Sequence, residues 1–340
     1  MLRSESRGPS RGNAAPHGAA SVRGDGRAGP VHAMPTRRLP PQIHVFVRDW
    51  LSANNILLKS RDGHVLIDSG YVTHAPLTLQ LLASGRGIGA EPLAKLVNTH
   101  CHSDHIGGNA ALQARFGCEI IVPAGLHATI AEWDENALLL SPLGQQAARF
   151  QHDNLISAGD EVGMGGLNWQ ALAVPGHDME ALAYYNPEKR ILISGDALWE
   201  NGFGVIFPEL LGEADGLAST RATLEMLSRL PIDVVIPGHG SPFATVDEAF
   251  ERAFRRVDSF AADIDKLAWH AIKVMASFAM MERRRLPADD FPAFLLALPF
   301  AIDVNTRYLS LPEDQLVARI ERELLLVNAL RREDGFLVAG

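Results

Sequence analysis

Short apolar segments alternate with turn-forming and helical segments between about residues 43 and 245 of this 340-residue chain. The apolar segments have the length and composition of buried strands. We predict strands over nine ranges: 43–47, 55–59, 64–68, 94–98, 119–122, 168–174, 182–185, 191–194 and 233–236. Apolar residues at helical spacing predict helices over 75–84, 107–116 and 217–230. Strands interleaved with helices are typical of two packed sheets covered by helices.

The pattern changes after Pro242, where long helical stretches replace the strands. The segment from Thr245 to Glu248 has the form of a helix capping box, and a helical pattern continues to about residue 285. Further helices are predicted over 288–298 and 312–331, followed by a turn and a short strand. We therefore predict three parts: an extension over residues 1–40, a catalytic domain over 41–245 and a C-terminal helical region over 246–340.

The first 40 residues are rich in Arg, Gly, Pro, Ser and Ala and contain almost no large apolar side chains. Such a segment buries too little surface to offset its ordering entropy, so we predict that it is disordered. It lacks the apolar core of a secretory signal. Its seven Arg residues leave a targeting peptide or a nucleic-acid-binding arm open, and Met34 leaves open an upstream start codon.

The composition narrows the function classes. The net charge of −9 provides no basic field for nucleic acid or acidic membranes, and no apolar run reaches the ~18–20 residues of a transmembrane helix. The two cysteines, Cys101 and Cys118, form no disulfide framework. Their small number fits a reducing compartment, so we expect a cytoplasmic location.

The densest group of chemically active side chains follows the predicted strand that ends near residue 98. His100, His102, Asp104 and His105 fall within six residues. Histidine and aspartate together suit zinc, iron or manganese. Residues i and i+2 of an extended segment project to the same side, so His100 and His102 can share one ion while the other two face a second. A His-rich surface loop is the simpler alternative. The alternation turns Cys101 away, and we predict that it is buried and inert.

Two ions need more ligands than this cluster provides, and three more follow at strand ends. Apolar runs lead through a glycine into His177, Asp196 and His239. Glycine before the ligand allows a sharp turn and leaves room beside a metal. A helix cap is the alternative role for Asp196. The sequence thus predicts one metal centre assembled from several strand ends.

In this order, the His-x-His-x-Asp-His run, the Pro-Gly-His turn, the Ser-Gly-Asp turn and the second Pro-Gly-His turn resemble the metallo-β-lactamase superfamily. The resemblance covers residues 43 to 245. It implies an α/β fold, a four-layer αββα sandwich, and the C-terminal helices resemble the winged-helix-like appendage of some members. Asp68, which follows a predicted hairpin around Arg61-Asp62-Gly63, matches a family aspartate that orients a metal ligand.

The resemblance also implies a dinuclear centre. It divides the ligands into His100, His102 and His177 for the first metal, Asp104, His105 and His239 for the second, and Asp196 as a bridge. We expect two divalent ions, zinc first, with iron or manganese as alternatives. Asp104 or Asp196 could act as general acid or base. The bridge separates the chain from the antibiotic-cleaving lactamases and favours glyoxalase II-like thioesterases, lactonases or phosphodiesterases.

Two metals that share a water lower its pKa to near neutrality, and the hydroxide attacks an electrophilic centre. We therefore expect hydrolysis of a thioester, ester or lactone of a small metabolite. Lactonases often have Tyr where this chain has Trp199, which weakens that subclass. Glyoxalase II-like enzymes place basic residues in a C-terminal helical region for glutathione. The candidates here, which are equally ordinary helix charges, are Arg252, Arg255, Arg256, Lys266 and Lys273.

Two other functions stay open. A phosphodiesterase or nuclease could use the same metals, although only 42 residues separate Asp196 from His239, too few for the inserted domain of the processing nucleases. A non-catalytic, metal-binding regulatory protein is the third reading. Residues 251–340 hold 13 Lys/Arg and 14 Asp/Glu, so we expect no nucleic-acid partner there, but a pocket-covering or homodimerising role. The candidate pocket walls, with core packing as the alternative, are Trp133, Trp199, Phe203, Phe207 and the Met275–Met281 stretch.

Overall fold

A computed structural model describes residues 39–212 and 215–340. Nearly all of the extension predicted over residues 1–40 lies outside the described residues. Leu39, one of the first described residues, already packs against the apolar core between the sheets. No helix in the described part of the chain has the length and apolar character needed to span a membrane.

The first sheet contains six strands in chain order: β1 (Ile43–Phe46), β2 (Asn55–Leu58), β3 (His64–Ile67), β4 (Leu93–Val97), β5 (Glu119–Pro123) and β6 (Asn154–Ile156). β1, β2 and β3 are antiparallel, whereas β3 to β6 run parallel. Parallel neighbours end at the same edge of a sheet. The segments that follow β3 and β4 therefore emerge side by side.

The second sheet contains β7 (Glu161–Met164), β8 (Leu167–Ala173), β9 (Leu182–Asn186), β10 (Ile191–Gly195) and β11 (Val234–Pro237). The strand order is β11-β10-β9-β8-β7, and β10 and β11 form its parallel pair. The turns that follow β10 and β11 therefore also emerge together. β6 and β7 were not predicted, because Asn154–Ile156 and Glu161–Met164 contain too few consecutive apolar residues to stand out.

Twelve α-helices surround the sheets: α1 (Ala75–Ala83), α2 (Ser103–Ile106), α3 (Asn109–Phe116), α4 (His127–Glu132), α5 (Leu140–Leu143), α6 (Phe207–Leu211), α7 (Gly216–Ser228), α8 (Val246–Ala262), α9 (Ile264–Arg283), α10 (Phe291–Leu296), α11 (Pro299–Val304) and α12 (Glu313–Leu326), counting only the described residues. The helix predicted over 107–116 is shorter than expected. Gly107 and Gly108 separate α2 from α3 there.

Alternating side chains of the strands build the four layers. Ile56 and Leu58 of β2 point into the core between the sheets, whereas Leu57 points to the layer of α1 and α3. In the same way Ile191 of β10 faces the first sheet, and Leu192 faces the helices that cover the second. Both faces of each sheet are therefore apolar, which explains the continuous apolar runs. The αββα sandwich predicted from the sequence is confirmed.

The C-terminal helical region is also confirmed, with a different internal division. The single helix predicted from Thr245 to residue 285 is two helices, because the backbone of Asp263 is extended between α8 and α9. Three strands, β12 (Arg285–Pro287), β13 (Leu330–Glu333) and β14 (Phe336–Ala339), form a small sheet in the order β12-β14-β13. The helices share one core with the second sheet. The boundary between residues 245 and 246 therefore stays a prediction.

Candidate metal centre and adjoining cavity

Strand ends from both sheets bring the seven predicted ligands together. His100 follows β4, and His102 immediately precedes the short helix α2, which carries Asp104 and His105. The remaining three follow strands of the second sheet. Ligand atoms lie within 4.8 Å of one another in two groups: His100, His102 and His177, and Asp104, His105, Asp196 and His239. Each group could hold a metal ion.

Asp196 lies between the two groups. Its Oδ1 is 3.4 Å from His105 Nε2, and its Oδ2 is 3.6 Å from His177 Nε2 and 3.8 Å from His239 Nε2. The indole Nε1 of Trp199 donates a hydrogen bond of 3.2 Å to Asp196 Oδ1. The carboxylate therefore faces both groups at once, and Trp199, which stands three residues later, fixes its orientation.

Asp68 is buried behind the cluster, where its carboxylate contacts His105. Its Oδ2 lies 2.8 Å from His105 Nδ1 and accepts a hydrogen bond of 2.8 Å from Thr99 Oγ1, while its Oδ1 accepts one of 2.9 Å from the Thr99 amide. The backbone of Asp68 adopts a left-handed conformation with φ of 57°. Such strain is kept where the surrounding contacts require it, and here it aims the carboxylate at His105.

At two positions directly before a candidate ligand, only glycine fits, because other atoms approach its Cα closely. A Cβ at Gly238 would lie 2.2 Å from Asp196 Oδ1 and 3.0 Å from His105 Cε1. A Cβ at Gly176 would lie 2.3 Å from Thr220 Oγ1, and the φ of 145° there is one that side chains disfavour. A glycine directly before the candidate ligand is thus needed at both positions, because neighbouring side chains occupy the space that a Cβ atom would fill.

The protonation states of His102, His177 and Asp196 suit metal binding, whereas the carboxylates around His105, Asp68 first, outweigh burial and raise the pKa of that imidazole well above its ordinary value. Burial lowers the pKa of His102 and that of His177 to about 4, so both imidazoles are neutral at neutral pH. Burial favours the protonated form of Asp196, but the neighbouring His105 and His239 outweigh it and hold its pKa well below the ordinary value. Neutral imidazoles and ionised carboxylates are the forms that bind divalent ions.

The donor set also fits metal ions better than it fits a closed hydrogen-bond network. The Nε2 atoms of His100 and His105 are buried and have no hydrogen-bond partner among the described residues. His102 Nδ1 and His177 Nε2 face each other at 2.8 Å, while His177 Nδ1 points to the Val205 carbonyl at 2.5 Å. Buried polar atoms without partners are costly, and a bound ion would satisfy them.

A cavity of about 670 Å³ adjoins the cluster. Three of the aromatic residues proposed as walls from the sequence, Trp199, Phe203 and Phe207, line it. Trp133 does not, because its ring packs on Phe150 in the helical layer over the first sheet. The Met275–Met281 stretch contributes both to the cavity and to the core, so neither alternative reading was wrong.

Two cavity residues gave no signal in the sequence. Trp50 lies in a loop between β1 and β2 and is half-exposed, and His270 lies on α9. Of the five basic candidates, Arg256 and Lys273 line the cavity. The other three make different contacts: Arg252 donates to the Glu200 carbonyl, Arg255 pairs with Glu251 and Lys266 pairs with Asp263.

Two further sequence features have structural roles. Cys101 is buried among apolar side chains beneath the cluster, and burial raises the pKa of its thiol well above the ordinary value, as expected for an inert cysteine. Asp178, which directly follows the first Pro-Gly-His turn, accepts a hydrogen bond of 2.7 Å from the Glu180 amide. That carboxylate closes the turn after His177.

Comparison with known proteins identifies the same superfamily that the sequence motifs resemble. The model of the metallo-beta-lactamase superfamily matches residues 48–239. The chain is 33% identical over 182 residues to the hydroxyacylglutathione hydrolase of Yersinia enterocolitica, covering 53% of this chain and 58% of that protein. It is 30% identical over 165 residues to the hydroxyacylglutathione hydrolase GloC of Haemophilus influenzae, covering 44% of this chain and 69% of that one.

The share of each protein that is matched varies among the other relatives. The chain spans only 38% of the length of a hydroxyacylglutathione hydrolase of Rhodopseudomonas palustris, to which it is 30% identical. A probable metallo-hydrolase of Bacillus subtilis is 27% identical over 60% of this chain and 92% of its own length. These relatives and the superfamily indicate a hydrolase.

Solved structures share the fold. A metallo-beta-lactamase family protein from Thermus thermophilus aligns with a TM-score of 0.55 at 18% identity, over 89% of this chain and all of that one. The FEZ-1 metallo-beta-lactamase of Legionella gormanii aligns with a TM-score of 0.53 at 14% identity, over 66% of this chain and 94% of that one. With more than half of its sequence matched by the family model, this chain belongs to the metallo-beta-lactamase superfamily.

Proposed function

We propose that the protein is a dinuclear metal-dependent hydrolase that acts on a thioester, ester or lactone of a small metabolite. The observation that carries this proposal is the pair of ligand groups on either side of Asp196. A single structural ion needs four protein ligands and no cavity. Here seven ligands adjoin a cavity large enough for a small molecule.

In this proposal the ions are divalent, with zinc favoured and iron or manganese as alternatives. The ligands would divide into His100, His102 and His177 for the first ion, Asp104, His105 and His239 for the second, and Asp196 shared by both. When bound, such a pair supplies an activated water at neutral pH and polarises the oxygen under attack. Asp68 would act behind His105, holding its Nδ1 so that Nε2 faces the ion.

Several residues of the chain would orient the reaction. His239 Nε2 lies 3.0 Å from Asp104 Oδ2, and this carboxylate borders the cavity. Asp104 could therefore accept a proton from the attacking water at Oδ2 and pass it to the departing alkoxide or thiolate, with Asp196 as the alternative. The Val205 carbonyl holds the ring of His177 and the indole of Trp199 holds Asp196. These contacts would keep both groups fixed while a substrate binds.

The cavity supports an acyl substrate. Phe203, Phe207, Met275 and Phe278 give it apolar walls beside the ligand cluster. The names of the curated relatives, hydroxyacylglutathione hydrolases, also describe the hydrolysis of an acyl compound. In this proposal residues 41–245 are the catalytic domain, and residues 246–340 cover the site. The homodimer suggested by the sequence stays a prediction.

Elemental analysis and a substrate panel test the proposal. We expect two divalent ions per purified chain and turnover of thioesters, esters or lactones, but not of β-lactams. Bis-p-nitrophenyl phosphate distinguishes the phosphodiesterase alternative. The variants His102→Ala and Asp196→Ala should lose one or both ions and nearly all activity. His127→Ala is the matched control, because His127 is an exposed histidine outside the centre. Full activity of His102→Ala, or a purified protein without metal, would overturn the proposal.

A further inference from the structure

One cation of the cavity has no counter-charge. Arg256 of α8 is half-buried, lines the cavity, and forms no hydrogen bond or ion pair with any described residue. Its guanidinium instead lies against the backbone of Gly202, where a Cβ would be 2.3 Å from Nη1. Burial alone lowers the pKa of Arg256, with no carboxylate near enough to oppose it. A buried charge without a partner is costly, so this position favours an anionic ligand.

Two further nitrogen-bearing side chains line the cavity together with Arg256. His270 and Lys273, three residues apart on one face of α9, line the same cavity. Burial, followed by the charges of Arg256 and Lys273, lowers the pKa of His270 to about 4, so its ring is a neutral hydrogen-bonding group. Lys273 is balanced by Glu323, 3.0 Å away. One uncompensated positive charge remains, which suits a carboxylate better than a doubly charged phosphate.

The segment around Phe203 lies against both Arg256 and His177, which is one of the candidate metal ligands. Gly202 lies against the guanidinium of Arg256, and Gly204 lies against the ring of His177, where a Cβ would be 2.5 Å from Nδ1. The two glycines are two residues apart, so their Cα atoms are at most about 7 Å apart. The same short segment of cavity wall therefore borders both Arg256 and a candidate metal ligand.

We infer that Arg256, His270 and Lys273 form an anion subsite that binds a carboxylate at the far end of a short acyl substrate. The apolar walls of Phe203, Met275 and Phe278 would contact the methylene chain between the two ends. This inference rests on the proposed hydrolase function, and it narrows the substrate to an ester or thioester of a dicarboxylic acid. The planar guanidinium can bind the carboxylate through two parallel hydrogen bonds.

Paired substrates test the subsite. The 4-nitrophenyl half-esters of succinic, glutaric and adipic acid carry the carboxylate, and the 4-nitrophenyl esters of the monocarboxylic acids of matching length do not. Charged hydrogen bonds of this kind correspond to about 10- to 100-fold in kcat/KM. We expect Arg256→Gln to lose that factor on the preferred half-ester and to leave the neutral ester within about twofold. Arg256→Lys should recover part of it.

The control is Arg255→Gln, because Arg255 is the exposed neighbour on the same helix and pairs with Glu251. It should behave as the wild type on both substrates. Equal losses for Arg255→Gln and Arg256→Gln, or a wild-type enzyme that prefers the neutral esters, would overturn the subsite while leaving the hydrolase proposal intact.

Calorimetric titration with glutarate gives a readout without turnover. We expect Arg256→Gln to weaken glutarate binding about 10- to 100-fold relative to Arg255→Gln. If no ester or thioester is hydrolysed but glutarate binding depends on Arg256, the hydrolase proposal fails and the anion subsite stands. If glutarate binds both variants equally, the subsite is wrong whatever the enzyme hydrolyses.

Discussion

The indole ring of Trp50 lies parallel to the imidazole of His239, with ring centroids 5.2 Å apart and an angle of 2° between the planes. The ring of Trp199 meets both edge-on, at 5.3 Å from each. Although Trp50 belongs to the cavity, 53% of its surface is exposed. A substrate that enters the cavity therefore contacts an aromatic wall, and this wall also packs against His239, a candidate metal ligand.

Replacing Trp50 should weaken substrate binding more than turnover. We expect Trp50→Ala to raise KM about 2- to 10-fold for substrates with an apolar leaving group, because aromatic contacts contribute about 0.5–1.5 kcal/mol. Steady-state kinetics with a series of leaving groups measures the effect. Val47→Ala, which removes another exposed apolar side chain of the same loop, should leave KM unchanged. A fall in kcat with no change in KM would contradict this role.

Asp68 should control metal affinity without binding metal. In Asp68→Asn the amide cannot accept from both Thr99 and His105, so the ring of His105 loses its orientation. We expect metal to bind about 10- to 100-fold more weakly, as is typical for such supporting groups. Competition with a chromophoric chelator measures this affinity. Asp62→Asn, in the exposed hairpin turn, is the control, and equal affinities in the two variants would contradict the assignment.

Gly238 should tolerate no side chain. The methyl group of Gly238→Ala would overlap Asp196 Oδ1 and push the carboxylate out of line between the two ligand groups. A displacement of about 1 Å at a reacting centre costs about 100-fold in rate, so we expect a loss of that order in kcat. Gly163→Ala, in β7, meets no atom within 4 Å and should remain active. Metal content should be measured for both variants, and wild-type kcat in Gly238→Ala would refute the geometric argument.

His270 should make folding stability depend on pH. Its pKa is about 4 in the folded protein and 6.5 when unperturbed, so the unfolded state takes up a proton first as the pH falls. The stability is complete above pH 6.5 and is lost progressively towards pH 4. At pH 5 this loss amounts to about 2 kcal/mol.

Urea unfolding of the metal-free wild type and of His270→Gln at pH 7 and pH 5 measures that loss. The wild type should lose about 2 kcal/mol more than the variant between the two values. Other titrating groups are common to both proteins and cancel in the comparison. Equal losses would show that His270 is protonated as readily in the folded state as in the unfolded one.

The clustering of the candidate metal ligands could be predicted because each has a local sequence pattern. The apolar run that ends in Gly176-His177, for example, marks a strand end and a ligand within a few residues. The topology then brings these residues together. Because β10 and β11 are parallel neighbours, Asp196 and His239, which follow them, lie at the same edge of the sheet. The order of these short patterns along the chain was therefore enough to predict that the seven side chains lie close together.

The cavity could not be predicted in the same way, because its walls come from segments far apart in sequence. Trp50 reaches His239 across almost 190 positions, and no local pattern connects the two. Arg256 and Arg255 are neighbours with the same chemistry, and only packing places one in the cavity and the other on the surface. The extended backbone of Asp263, which divides the long helix, is likewise marked by no proline or glycine in the sequence.

The candidate metal ligands all precede residue 240, whereas α9 supplies a wall of the same cavity from beyond residue 263. One wall of the cavity is therefore encoded apart from all seven candidate ligands, although Trp50, Trp199, Phe203 and Phe207 of the same cavity are not. If the proposed function is correct, mutations in α9 should alter the acyl group that is accepted without disturbing the candidate metal ligands. Directed evolution that randomises only the cavity face of α9 is consequently the shortest route from this scaffold to a hydrolase of new selectivity.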